Sequence, residues 1–124
     1  MNLKIFLTFK AIVSICFGLI SLCIPTIVFP YYGINLDAQG ILFSQWFGAM
    51  GIGIGLICWF ARTESRSELR QAILLSLFIT DTIGFGVAMA SQLREVGNQL
   101  GWSNVGLWLI LALGLGYFRF IKKD

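Results

Sequence analysis

Four apolar stretches of about twenty residues divide the chain, over about 5–24, 41–61, 71–93 and 103–121. Lys10 interrupts the first and Asp81 the third, while the second carries no charge. Each is close to the ~20 residues that cross ~30 Å of hydrocarbon as a helix. Lipid offers no partners for free backbone N–H and C=O groups, so the spans must be helical. Composition agrees, because the chain is 57% hydrophobic and 12% charged, whereas a soluble domain has about 25% charged residues. The sequence therefore predicts an all-α fold, an integral membrane four-helix bundle with residues 1–124 as a single transmembrane domain.

The charges predict its direction. Lys4 and Lys10, then Arg62, Arg66 and Arg70, then Arg119, Lys122 and Lys123 fall on one side, against Arg94 alone on the other. This asymmetry predicts cytoplasmic termini, with a bacterial inner membrane as the default host. Trp59, Trp102, Tyr31, Tyr32 and Tyr117 fall near the expected interfaces, where amphipathic rings are favoured. The net charge of +3 comes from residues at span ends, not from a basic patch with interleaved polar groups, which argues against nucleic-acid binding. No histidine is present, which excludes His-ligated haem, zinc or copper and any His-based triad. Cys16, Cys23 and Cys58 match no metal or redox spacing, and no cofactor is expected. The first span lacks a small-x-small cleavage site before Pro25, and no small residue directly precedes Cys23, so it is expected to be retained.

The stretch "QWFGAMGIGIGLICWFAR" is unusual in placing four glycines within eight residues of a helix, although glycine is a poor helix former in water. Ser44, Gly48, Gly51, Gly55 and Cys58 recur at steps of four and three, so they share one helix face. In lipid, helices associate through close packing, and small residues let their backbones approach. Ala11, Ser14, Gly18, Ser21 and Pro25 form a matching stripe on the first span. The two stripes predict antiparallel, face-to-face packing of spans one and two. Gly84, Ala88 and Ser91 on the third span, and Gly106, Ala112 and Gly116 on the fourth, continue the pattern. Packing within the chain is the expected use of these stripes, and a homodimer or membrane-protein partner is the alternative.

Asp81, in "FITDTIGFG" between Thr80 and Thr82, is the sharpest candidate for chemistry. A charged side chain at mid-bilayer costs about 2.5–3.5 kcal/mol on insertion scales, so an intramembrane carboxylate is a functional candidate by default. Counting inward places Cys16, the backbone of Gly48 to Gly51 and the Trp108 indole at similar depth, with Gln45 nearer the outer face. No lysine or arginine is expected at that depth. Asp81, Trp108, Gln45 and Thr80 are therefore the candidate ligand or proton site, and a protonated interhelical hydrogen-bonding post is the alternative. In the loop "ARTESRSELR", Arg62, Arg66 and Arg70 lie four apart; they are expected to orient the hairpin, and, if the loop is helical, they would form one row for lipid phosphate or an acidic partner. The loop "PTIVFPYYGINLDAQG" reads either as a lid or as an interfacial connection anchored by its tyrosines. No Gly-rich phosphate loop, CxxC or usefully spaced carboxylate pair is present, so an enzyme is not expected.

The pattern Gly18-Leu19, Pro25, Tyr32-Gly33 and Phe47-Gly48-Ala49 with Gly53 and Gly55 resembles small four-span bacterial membrane proteins near the DoxX-like grouping. That resemblance implies a four-helix membrane bundle, sometimes with a partner protein, in a grouping linked to quinone oxidoreductase assemblies. The first span lacks that grouping's Arg- and Gly-rich opening, and no functional residue carries across. The residues point first to a non-enzymatic membrane protein that binds a lipid-like ligand or scaffolds a partner. A small oligomeric transporter using Asp81 for a proton or cation, or a quinone-associated redox subunit, are the alternatives.

Overall fold

A computed structural model describes residues 2–121. Among them the chain is all-α, in the order α1 (Leu3–Cys23), α2 (Pro25–Val28), a 3₁₀ turn (Phe29–Tyr32), α3 (Ala38–Ala61), α4 (Ser67–Leu93) and α5 (Gly101–Gly116), closed by a π-helical turn (Tyr117–Ile121). Four helices, Leu3–Cys23, Ala38–Ala61, Ser67–Leu93 and Gly101–Ile121, are long and apolar enough to cross a membrane. Large apolar side chains also stay exposed along them, including Met50 (71%), Phe60 (70%) and Leu113 (63%). Water-soluble surfaces rarely carry contiguous apolar patches of this kind. The chain is an integral membrane protein. Lys122 and Lys123, two of the charges that predict its direction, lie outside the described residues. The chain forms two compact units, Met1–Thr63 and Glu64–Asp124.

In the first unit, Asn2 caps α1 by accepting a hydrogen bond from the Ile5 N–H at 2.9 Å. The helix stops at Cys23 because Pro25 disfavours helical backbone at Ile24, and Pro25 then opens α2. Gly33 ends the 3₁₀ turn at φ 74°, a left-handed conformation natural to glycine. The loop between the first two spans is therefore largely helical, and only its 33–37 segment separates the 3₁₀ turn from the next span. Asp37 starts α3 earlier than the apolar run alone indicates, accepting from the Gly40 N–H at 2.7 Å.

The α1–α3 contact explains the glycines. A Cβ on Gly48 would lie 2.5 Å from the Gly18 carbonyl oxygen and 2.8 Å from the Leu22 backbone nitrogen. A Cβ on Gly18 would lie 2.7 Å from the Gly48 carbonyl oxygen. Gly51 faces the Ser14 carbonyl, and Gly55 faces the Ala11 carbonyl and the Ile15 side chain. These pairs follow one antiparallel register, and Ser44 Oγ donates to the Ser21 carbonyl along it at 2.9 Å in a buried site. An interhelical hydrogen bond of this kind averages about 0.6 kcal/mol in membrane proteins. Close packing of the two backbones over several turns therefore outweighs it.

In the second unit, α4 reaches back to Ser67, with Glu68 in its first turn, where a negative charge complements the helix dipole. Its far end closes through bonds from the Glu95 N–H to the Gln92 carbonyl and from the Val96 N–H to the Ser91 carbonyl, each 3.0 Å. Glu95 occupies the left-handed position (φ 59°) that glycine usually fills in this cap. Helices α4 and α5 pack through small-to-large contacts: the Trp108 ring lies against Gly84, and Phe78 against Gly116. Phe78 also meets Phe120 edge-on, with ring centroids 5.3 Å apart.

Gly48→Ala should destabilise the first unit by about 1–3 kcal/mol, the usual range for overpacking. A Cβ on Gly53 meets nothing within 4 Å, so Gly53→Ala should stay within about 0.5 kcal/mol of the parent. Unfolding of both variants in mixed micelles titrated with denaturing detergent tests this, and equal losses would remove the packing explanation.

Candidate functional site

Beside the glycine contact, α1 and α3 border an open apolar hollow of about 410 Å³, lined by Ala11, Ile12, Ile15, Cys16, Leu56 and Trp59. Gly55 helps shape it, because without a Cβ there Ile15 can settle onto α3. A second hollow of about 390 Å³ continues along α1, lined by Lys4, Ile5, Thr8, Phe9 and Ile12. Ile12 belongs to both, so together they follow α1 towards its N-terminal end. The Arg62 guanidinium stacks on the Trp59 ring, 3.8 Å from its centroid, and Arg62 caps the C-terminal end of α3. The antiparallel register brings Lys4 level with this residue. Lys4 lines the second hollow, while Arg62 lines neither and stacks on Trp59, a wall of the first.

Two ionisable side chains are buried within membrane-length helices, Lys10 in α1 at 2% exposure and Asp81 in α4 at 1%. Lys10 lies on the packed face of α1 with Phe6, Leu7 and Ala11, seven residues past the helix start and about 10 Å along its axis.

Around Asp81, the α4–α5 register places Ala112 level with the carboxylate and Trp108 a turn away, over Gly84. Thr80 faces outward, and its hydroxyl donates to the Ser76 carbonyl at 2.9 Å. Gln45 is half-buried on α3, in the first unit. Trp108 and Asp81 are thus on neighbouring turns of the second unit, while the Thr80 hydroxyl serves its own helix.

The three arginines do not form a helical row. Residues 62–66 form a turn and extended backbone between α3 and α4. Arg66 donates to Glu64 through Nε at 2.9 Å and a terminal nitrogen at 3.2 Å, and its backbone N–H adds a third bond at 2.9 Å. Arg70 donates to the Glu64 carbonyl at 3.4 Å. The extended turn wins because Glu64 then satisfies the side chain and backbone of Arg66 together. The Arg66 guanidinium, followed by its backbone N–H, holds the Glu64 carboxyl at about 2, below its ordinary 4.5.

Among the described residues no group of His, Cys, Asp and Glu side chains could hold a metal ion. Compared with protein-family models, curated proteins and solved structures, the chain matches none of them.

Glu64 is favoured in its charged form by the fold, so its contribution to stability is complete above pH 4.5 and is lost as the pH falls to about 2. A carboxyl-carbon NMR titration should place its midpoint near 2, and Arg66→Ala should return it towards 4.5. A parent midpoint already near 4.5 would show that the pair does not form in the membrane-embedded protein.

Proposed function

We propose that this chain is a non-enzymatic integral membrane protein that binds a lipid-like ligand along its first helical unit. The groove lined by Ala11, Ile12, Ile15, Cys16, Leu56 and Trp59 carries this reading. The hollow of about 410 Å³ is open along one side, which suits a chain lying along the helices and not an enclosed small molecule. The walls are almost wholly apolar, so they discriminate by shape and hydrocarbon content and offer no reactive group. Cys16 is the one thiol on them, and it has no neighbouring base within that lining to activate it.

A second reading is favoured by one observation, the near-complete burial of Asp81. Intramembrane carboxylates mark proton or cation pathways in many transporters. On that reading Asp81 carries the proton or cation, and Trp108 on the adjacent turn borders it. The two readings make opposite demands on Asp81, since a lipid-binding role leaves it structural.

Purified in mild detergent, the protein should retain co-isolated lipid detectable by native mass spectrometry. Cys16→Trp, which fills the groove from an exposed position, should lower that lipid at least twofold, while Asp81→Asn should not. Unchanged lipid in Cys16→Trp would sink the groove reading. A pH-dependent cation flux in proteoliposomes, lost in Asp81→Asn, would establish the second reading instead.

A further inference from the structure

Two hollows share Ile12, with Lys4 lining the second and Arg62 stacked on Trp59 of the first, and this combination narrows the ligand class. Arg62 lies one turn beyond Trp59, a groove-lining residue, and stacks on its indole ring at 3.8 Å. Stacking fixes one face of the planar guanidinium and leaves its edge to meet an acceptor. Arg62 Nε, like Arg70 Nε and Arg119 Nε, is shielded with no side-chain hydrogen bond at that atom among the described residues, so it is the stacked charge and its place that favour a headgroup. Arg66, by contrast, is bound to Glu64 through two guanidinium nitrogens, which neutralises it locally. Lys4, exposed and lining the continuing hollow, adds a second cation level with Arg62.

Apolar hollows bordered by two cations are complementary to an amphiphile with an anionic head. Tryptophan favours the membrane interface, so the Trp59–Arg62 stack sits where a headgroup phosphate meets the first methylenes of its chains. Arginine engages phosphate with parallel N–H bonds, while lysine acts as a point charge. We infer that the first unit holds one anionic glycerophospholipid, with an acyl chain along Ile12, Ile15 and Leu56 and its phosphate between Arg62 and Lys4. This inference rests on the lipid-binding reading above and adds the headgroup to it.

The test uses the full-length protein in nanodiscs of equimolar phosphatidylcholine and phosphatidylglycerol, released into mild detergent and read by native mass spectrometry. Each basic residue near an anionic headgroup contributes about fivefold in affinity. The retained lipid should therefore be enriched at least about fivefold in phosphatidylglycerol over the input ratio. Arg62→Gln should reduce that enrichment about fivefold while the number of retained lipids stays the same. Lys4→Gln should reduce it in the same direction, and Arg66→Gln should leave it unchanged. Circular dichroism of each variant confirms that helix content is preserved. Lipid retained at the input ratio, or enrichment lost equally in Arg62→Gln and Arg66→Gln, would overturn the headgroup assignment and leave the groove reading standing. No retained lipid at all would overturn both.

Discussion

Hydrocarbon cannot accept or donate a hydrogen bond, and the other features of this chain are answers to that constraint. It makes every membrane-length segment a helix, even α3 with its low-propensity glycines. It also removes the hydrophobic drive that joins helices in water, so association falls to close packing. In the first unit, Gly18 and Gly48 meet each other's carbonyl oxygens at distances that leave no room for a Cβ. Leucine at either position would push the helices apart and forfeit dispersion contacts over several turns. The second unit meets the same requirement by another route. Its glycines accept aromatic rings, Trp108 on Gly84 and Phe78 on Gly116, in place of a second backbone.

The same constraint sorts the charged residues by their surroundings. Arg66 and Glu64 satisfy one another in the turn between α3 and α4, outside the spans. Arg62 turns its flat face to Trp59, lowering the exposure of its ring to water while keeping the charge at the end of the helix. Lys10 and Asp81 are withdrawn from the surface altogether. A residue of each kind thus marks a different use of charge: closing a turn, stacking beside an apolar hollow, or occupying the protein interior. The middle use places a cation next to Trp59, a wall of an apolar hollow, and the proposed lipid-binding reading builds on it.

Much of this was legible from residue spacing. The four spans follow from apolar length, and the steps of four and three along Ser44, Gly48, Gly51, Gly55 and Cys58 mark the face that α3 turns to α1. Helix ends were less legible. Asp37 and Ser67 extend α3 and α4 beyond their apolar runs, because caps and first turns use polar residues that hydropathy discounts. The arginine row failed for a related reason: spacing by four implies one face only if the backbone is helical, and Glu64 stabilises an extended turn. The groove had no linear signature, since Ala11 to Cys16 and Leu56 to Trp59 are distant in sequence.

The sequence by itself determined the membrane class, the number of spans and the small-residue faces, because each depends on local composition and helical period. Tertiary structure decided which carbonyl each glycine meets and which residues of α1 and α3 border an apolar hollow. It also decided which of the three arginines stacks on an indole ring and which pairs with a carboxylate. Those outcomes depend on register between helices and on the path of a five-residue turn, 62–66. Such geometry arises only when distant segments compete for the same space and the same hydrogen-bond partners.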